Sequence, residues 1–167
     1  IFNGELYSGV SGNAGEFGHI TIDSESKRSC HCGNKGCWET LASEKYIYDM
    51  YNKNTKGNII NIDEIYQVNI EEDIELLNIV NQVGENIGIG LANIINSLSP
   101  ELIVIGGNII QFKKYIIDSI QRTIENKTLK LNYEKVNIQF SKLNELATVY
   151  GLAKIIFDKN LLAKNEF

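Results

Sequence analysis

The sequence predicts an α/β fold, and three stretches carry that expectation. Leu102-Ile103-Val104-Ile105 is a wholly apolar run ending in Gly106-Gly107, the pattern of a strand in a sheet covered on both faces. Between 72 and 98, Ile74, Leu77, Val80, Ile87, Leu91, Ile94, Ile95 and Leu98 recur at helical spacing. Val136-Asn137-Ile138-Gln139-Phe140 then alternates like a second strand, with helical stretches on either side.

The elements follow in order. Ile1 to Tyr7 reads as a strand or hairpin turning on Asn3-Gly4. With no initiator Met ahead of it, the chain is expected to be a fragment whose upstream residues are missing. Gly9, Gly12, Gly15 and Gly18 punctuate a loop, and His19-Ile20-Thr21-Ile22 alternates toward a strand over 18–23. Residues 24–37 form a compact loop, and 38–52 read as one helix through Trp38, Leu41, Tyr46 and Met50. The polar stretch 54–70 holds a short helical turn near Asp63 to Tyr66. In the long helix, Gly84, Gly88 and Gly90 weaken the local propensity, which points to close packing against another backbone. Ser99-Pro100 ends it. Helices over 109–126 and 147–162 complete the alternation.

At 167 residues the chain can bury a real core and forms one domain or one lobe of a larger protein. Its composition, 43% hydrophobic and 22% charged, is that of a globular domain. Asn, Gly and Ser break the longest apolar runs, which excludes a transmembrane helix from the reading. A net charge of -5 without a dense basic stretch makes the chain by itself a poor nucleic-acid binder. Retained thiols point to a reducing cytoplasm.

All three cysteines lie in Cys30-His31-Cys32-Gly33-Asn34-Lys35-Gly36-Cys37. An odd count packed into one loop argues for a metal over a disulfide framework, and Cys30 and Cys32 are too close to bridge comfortably. Thiolate and imidazole ligands suit zinc, and Gly33 and Gly36 permit the tight turns a short metal loop needs. The expected ligands are Cys30, Cys32, Cys37 and His19. His31, between two ligand cysteines, is poorly directed for joint binding and is expected to face solvent. The expected role is structural; buried or redox thiols without metal are the other reading. Glu16 and Glu39 flank the knot and suggest a site for a small polyol. Each also has a plainer reading, Glu16 as a solvated loop acid and Glu39 as a helix N-terminal acid favoured by the dipole. Gly106-Gly107 either lets a ligand approach the backbone or only makes a tight strand-to-helix turn.

Gly12-Asn13-Ala14-Gly15-Glu16-Phe17-Gly18-His19, followed by Cys30 through Ser43, closely resembles the signature of the ROK family of repressors, open reading frames and sugar kinases. Ser99 through Gly107 resembles that family's adenosine-side strand and turn, and Ala147 through Ala153 its C-terminal helix. The resemblance implies an actin-like, ribonuclease-H-like ATPase fold. Residues 1–167 would be a single lobe, mostly the C-terminal one, with an inserted zinc loop. It implies zinc on His19, Cys30, Cys32 and Cys37, and sugar hydroxyls facing Glu16, His19 and Glu39. Carboxylates accepting hydroxyl hydrogen bonds agree with that. It further implies a nucleotide side at Gly106 and Gly107, and a homodimer.

The aspartate base and the phosphate loop of the family's kinases are not visible in this chain, nor is the winged helix-turn-helix of its repressors. Without a base there is no activated nucleophile, so the chain alone is expected not to phosphorylate sugar. Two functions are carried. The first is the effector-binding part of a sugar-responsive repressor of the xylose-repressor kind, which reaches DNA only through an N-terminal domain. The second is the C-terminal lobe of a glucokinase-like enzyme, the one case that calls for ATP and Mg. Gly36-Cys37-Trp38-Glu39-Thr40, and Asn108 after Gly106-Gly107, favour the regulator. A sugar-binding fold with neither activity is the third reading.

Overall fold

The computed structural model describes residues 1–55, 61–143 and 146–162, with side chains as far as 157. Seven helices, α1 (Trp38–Leu41), α2 (Glu44–Thr55), α3 (Ile62–Gln67), α4 (Ile74–Leu98), α5 (Lys113–Lys127), α6 (Lys130–Tyr133) and α7 (Leu146–Leu162), accompany two strands, β1 (Leu102–Ile105) and β2 (Asn137–Phe140), among the described residues. The strands pair in parallel, Leu102 opposite Asn137 and Ile105 opposite Phe140, with α5 and α6 in the connection between them. A parallel pair needs such a crossover.

Helix α4 is the spine. The Asp73 side chain accepts the Leu76 amide at 2.9 Å to start it, and Ser99 in the left-handed region, followed by Pro100, ends it. Its Leu76, Val80, Val83, Ile87 and Ile95 are buried against Phe112, Ile116, Ile120 and Ile124 of the neighbouring segment and against Ile47 and Ile65. The close approach expected of the glycines is present at two of them. A Cβ on Gly84 would lie 2.9 Å from the Ile116 carbonyl oxygen, and one on Gly88 would lie 3.1 Å from the Ile120 carbonyl oxygen and 2.6 Å from Thr123 Cβ. At Gly90 the neighbour is a side chain, the Trp38 ring.

Three expectations need correction. The hairpin at the start is a turn only: Phe2 and Glu5 exchange amide-to-carbonyl bonds at 2.9 and 3.0 Å around Asn3 (φ 51°) and Gly4 (φ 82°), without flanking strands. In place of a strand over 18–23 there is a 3-10 turn at Phe17–His19 and a lone bridge from Thr21 to Cys37. The helix read over 38–52 is two, because the chain breaks at Ala42 and the Ser43 hydroxyl accepts the Tyr46 amide at 3.3 Å to open α2.

The sheet is covered on one face only among the described residues. Ile103 and Ile105 point into the core, while Leu102 and Val104 are 48% and 56% exposed. Helix α7 has no buried residue over 146–157, and Val149, Tyr150, Leu152, Ile156 and Phe157 are all exposed.

Candidate metal and ligand site

The cysteine loop is a run of tight turns. Gly33 donates to the Cys30 carbonyl at 3.1 Å, Cys30 donates to the Asn34 carbonyl at 2.8 Å, and Ser29 bridges Lys35. Gly36 closes the loop at φ +67°, donating to the Arg28 carbonyl at 3.1 Å and accepting from Ile22 at 3.0 Å. A Cβ there would sit 1.8 Å from the Asp23 carbonyl oxygen, so only glycine fits. The loop is tied to α2 by Arg28. Its guanidinium donates to Asp49 at 2.6 Å and lies 4.8 Å from the centre of the Tyr46 ring.

These turns bring one donor atom each from His19, Cys30, Cys32 and Cys37 within 4.8 Å of one another. Cys32 Sγ lies 3.7 Å from Cys37 Sγ, and His19 Nδ1 lies 3.5 Å from Cys30 Sγ. A tetrahedron with zinc–sulfur bonds of about 2.3 Å and a zinc–nitrogen bond of about 2.0 Å has edges of about 3.8 Å between sulfurs and about 3.5 Å from sulfur to nitrogen. The donor set and these two edges are those of a four-coordinate zinc site. His19 turns its other ring nitrogen, Nε2, toward Glu16 at 3.8 Å.

Glu39, on the first turn of α1, reaches the same cluster. Its Oε1 accepts from the Cys30 thiol at 2.9 Å and lies 3.0 Å from His31 Nδ1 and 3.8 Å from His19 Nδ1. The bond to Glu39 pushes the Cys30 thiol up to about 12, and the same bond holds the Glu39 carboxyl below the usual carboxylate range. Burial raises the Cys37 thiol, while the Asn34 backbone hydrogen bond lowers that of Cys32. His31 is 75% exposed along its side chain, as expected of a solvent-facing loop residue. Its approach to Glu39 and its T-shaped contact with His19, 4.9 Å between ring centres, were not legible. His19, His31 and Glu39 form a second, overlapping set of candidate ligands. Glu16 is exposed beside Gly15 and Gly18.

Gly106 and Gly107 lie at the C-terminal end of β1. Gly107 (φ +81°) lines an open cleft of about 520 Å³ with Asn108, Gln111, Lys142 and Leu143. Ligand clefts of parallel sheets form at that end of the strands.

The sequence profile of the ROK family matches residues 1–159. The chain belongs to the ROK family. It is 33% identical over 158 residues to the xylose repressor of Bacillus subtilis, covering 95% of this chain and 40% of that protein. It is 28% identical over 163 residues to NagC, a DNA-binding transcriptional dual regulator of Escherichia coli, covering 93% and 40%. The chain thus spans about 40% of the length of these curated relatives. A solved ROK family transcriptional regulator, a homologue of the E. coli MLC protein, superposes with a TM-score of 0.72 at 34% identity, over 84% of this chain and 37% of that one. A ROK family glucokinase from Streptomyces griseus, solved with glucose and AMPPNP, gives 0.70 at 21% identity over 86% and 51%. The second likeness shows that this chain shares its fold with part of that glucokinase.

Proposed function

We propose that this chain is the effector-binding part of a sugar-responsive ROK repressor and that it binds a monosaccharide beside a structural zinc. The observation that carries the reading is the higher identity to repressors than to the glucokinase over nearly the same residues. The convergence of Glu39 and His19 on the cysteine cluster supports the placement of the sugar.

In this reading His19, Cys30, Cys32 and Cys37 hold the metal, which when bound cross-links a loop too short to have a core of its own. His19 gives Nδ1 to that cluster and keeps Nε2 for a ligand hydroxyl. As a thiolate, Cys30 has no proton to give Glu39, so Glu39 Oε1 is open to a sugar hydroxyl. Glu16 accepts from a second one. The cleft at Gly106 and Gly107 takes ATP and Mg only if the whole protein is a kinase.

Residues 1–167 form a single lobe, the C-terminal part of a larger sugar-binding unit of ribonuclease-H-like fold. Exposed Leu102 and Val104 on an apolar parallel strand, and exposed Val149, Tyr150, Leu152, Ile156 and Phe157 on α7, are surfaces that another layer covers. DNA is contacted through an N-terminal domain, the whole protein is a cytoplasmic homodimer, and sugar shifts DNA affinity by linkage between the sites.

Calorimetry and DNA binding on the full-length protein test this. Glu16→Ala and Glu39→Ala should each weaken the bound pentose or hexose by about 1–3 kcal/mol, the scale of a lost hydrogen bond to a charged group. Wild-type affinity in the double variant removes the sugar site. DNA binding indifferent to every sugar tried, alongside ATP-dependent sugar phosphorylation, makes the protein a kinase.

A further inference from the structure

Glu39 is carried by a helix of four residues, Trp38–Leu41. One turn of helix has a single nucleus of hydrogen bonds and does not hold its own conformation in water. Something outside α1 must therefore fix the Glu39 carboxylate near His19, Cys30 and His31.

The fixing contacts come from α4, in two layers. The indole Nε1–H of Trp38 donates to the Asn86 carbonyl at 2.9 Å, and the Asn86 side-chain amide donates back to the Leu41 carbonyl at 2.8 Å. One residue of α4 thus grips α1 at both its first and its last position. One turn further along, Gly90 leaves the space in which the Trp38 ring lies. A Cβ there would come within 2.0 Å of Trp38 Cε2. Asn86 and Gly90 share one face of α4 by their i, i+4 spacing. At its N-terminal end α1 also meets the metal loop, through the Trp38 amide donating to the Ile20 carbonyl at 2.8 Å and the Thr40 hydroxyl donating to the Cys37 carbonyl at 2.7 Å.

We propose that Asn86 and Gly90 are positioning residues for ligand recognition: through Trp38 and Leu41 they set the depth and rotation of α1, and so the place of the Glu39 carboxylate. This rests on the reading that Glu39 contacts a sugar. It adds two residues of the long helix to that site, neither of which is among the candidate ligands. Without the Asn86 amide the Leu41 carbonyl loses its donor and the indole alone holds the helix. With a methyl at Gly90 the ring has to leave its seat and carries α1 with it.

The test uses the zinc-loaded full-length protein and calorimetry with D-xylose, D-glucose and N-acetyl-D-glucosamine. Wild type, Asn86→Ala, Glu39→Gln and the double variant form a cycle. Zinc content and unfolding midpoint are measured for each. Asn86→Ala should keep its zinc and weaken the sugar that wild type binds by about 10- to 100-fold, the usual loss when a supporting partner is removed. In the Glu39→Gln background the same change should add nothing, because the carboxylate it positions is gone. Wild-type affinity in Asn86→Ala, with Glu39→Gln weakened, overturns the inference and leaves the sugar site standing. Full additivity in the double variant also overturns it, since a purely structural loss does not depend on Glu39. No binding by wild type, or wild-type affinity in Glu39→Gln, overturns the underlying reading and this inference with it. Gly90→Ala should behave as Asn86→Ala if it folds, and the cycle stands without it.

Discussion

Gly36→Ala should be the most damaging single-methyl change in the metal loop, for two separable reasons. The residue sits at φ +67°, where an L side chain costs about 1–2 kcal/mol. The new Cβ would also overlap the Asp23 carbonyl oxygen at 1.8 Å. Backbone cannot give way by that much in place, so the segment has to move. Movement endangers the hydrogen bonds from Ile22 to Gly36 and from Gly36 to Arg28, each worth about 1 kcal/mol. The total is about 3–4 kcal/mol. Gly33→Ala supplies the control in the same loop: φ is +93°, yet nothing lies within 4 Å of its Cβ, so only the first cost applies. The difference of about 2 kcal/mol lowers the population of the metal-competent loop, and with it the apparent zinc affinity, by about 30-fold. Competition with a chromogenic chelator reads that ratio directly. Equal zinc affinities for the two variants would refute the reasoning, because they would mean that the Asp23 contact yields without cost.

Two further outcomes follow from individual contacts. Freshly purified protein should carry about one zinc per chain by elemental analysis, and Cys32→Ser should release it and lower the unfolding midpoint; loss of zinc on His31→Ala with retention on His19→Ala would exchange the imidazole ligand. The Tyr51 hydroxyl donates to Asp73 at 2.5 Å, which with burial lifts it from 10.0 to about 12, so its contribution to stability is complete below pH 10 and is lost as pH rises to about 12. Urea midpoints followed across that window should fall less steeply in Tyr51→Phe, and an unchanged slope would show that the bond does not persist in solution.

What was legible in the sequence was whatever local spacing encodes. The apolar period of α4 survives three glycines at Val80, Ile87, Leu91 and Ile95, which are buried, whereas Ile74 and Leu98 near its ends are exposed and the buried Leu76, Ile79 and Val83 lie outside the spacing read. The thiols of Cys30, Cys32 and Cys37 mark a candidate metal site by density alone, and His19 follows from its place at the end of the Gly-Glu-Phe-Gly-His string. Elements were misread where two local signals compete. Trp38 to Leu41 and Tyr46 to Met50 each keep helical spacing, but the five positions from Leu41 to Tyr46 are about 140° out of phase, and that slip together with the Ser43 cap marks the break at Ala42. Alternation over His19 to Ile22 looks like a strand, but its neighbours in space are loop residues that offer one bridge and no ladder. The apolar run of β1 indicates two covered faces and cannot say which element covers each. Contacts across long sequence separations left no signature at all. Trp38 and Asn86 are 48 positions apart, and Arg28 and Asp49 are 21 apart.

The glycines of α4 explain how one helix serves both the core and the site. Each costs about 1 kcal/mol of helix propensity against alanine, so the set of three is a burden of about 3 kcal/mol that packing must offset. Gly84 and Gly88 are one turn apart and face α5, where Ile116, Ser119 and Thr123 crowd the missing Cβ atoms. Asn86 and Gly90 are also one turn apart, but two residues of offset at about 100° per residue place them on the opposite side. There they meet Trp38 and Leu41 of α1. Helix α4 is therefore clamped between α5 and α1 by two glycine-based approaches at nearly the same height.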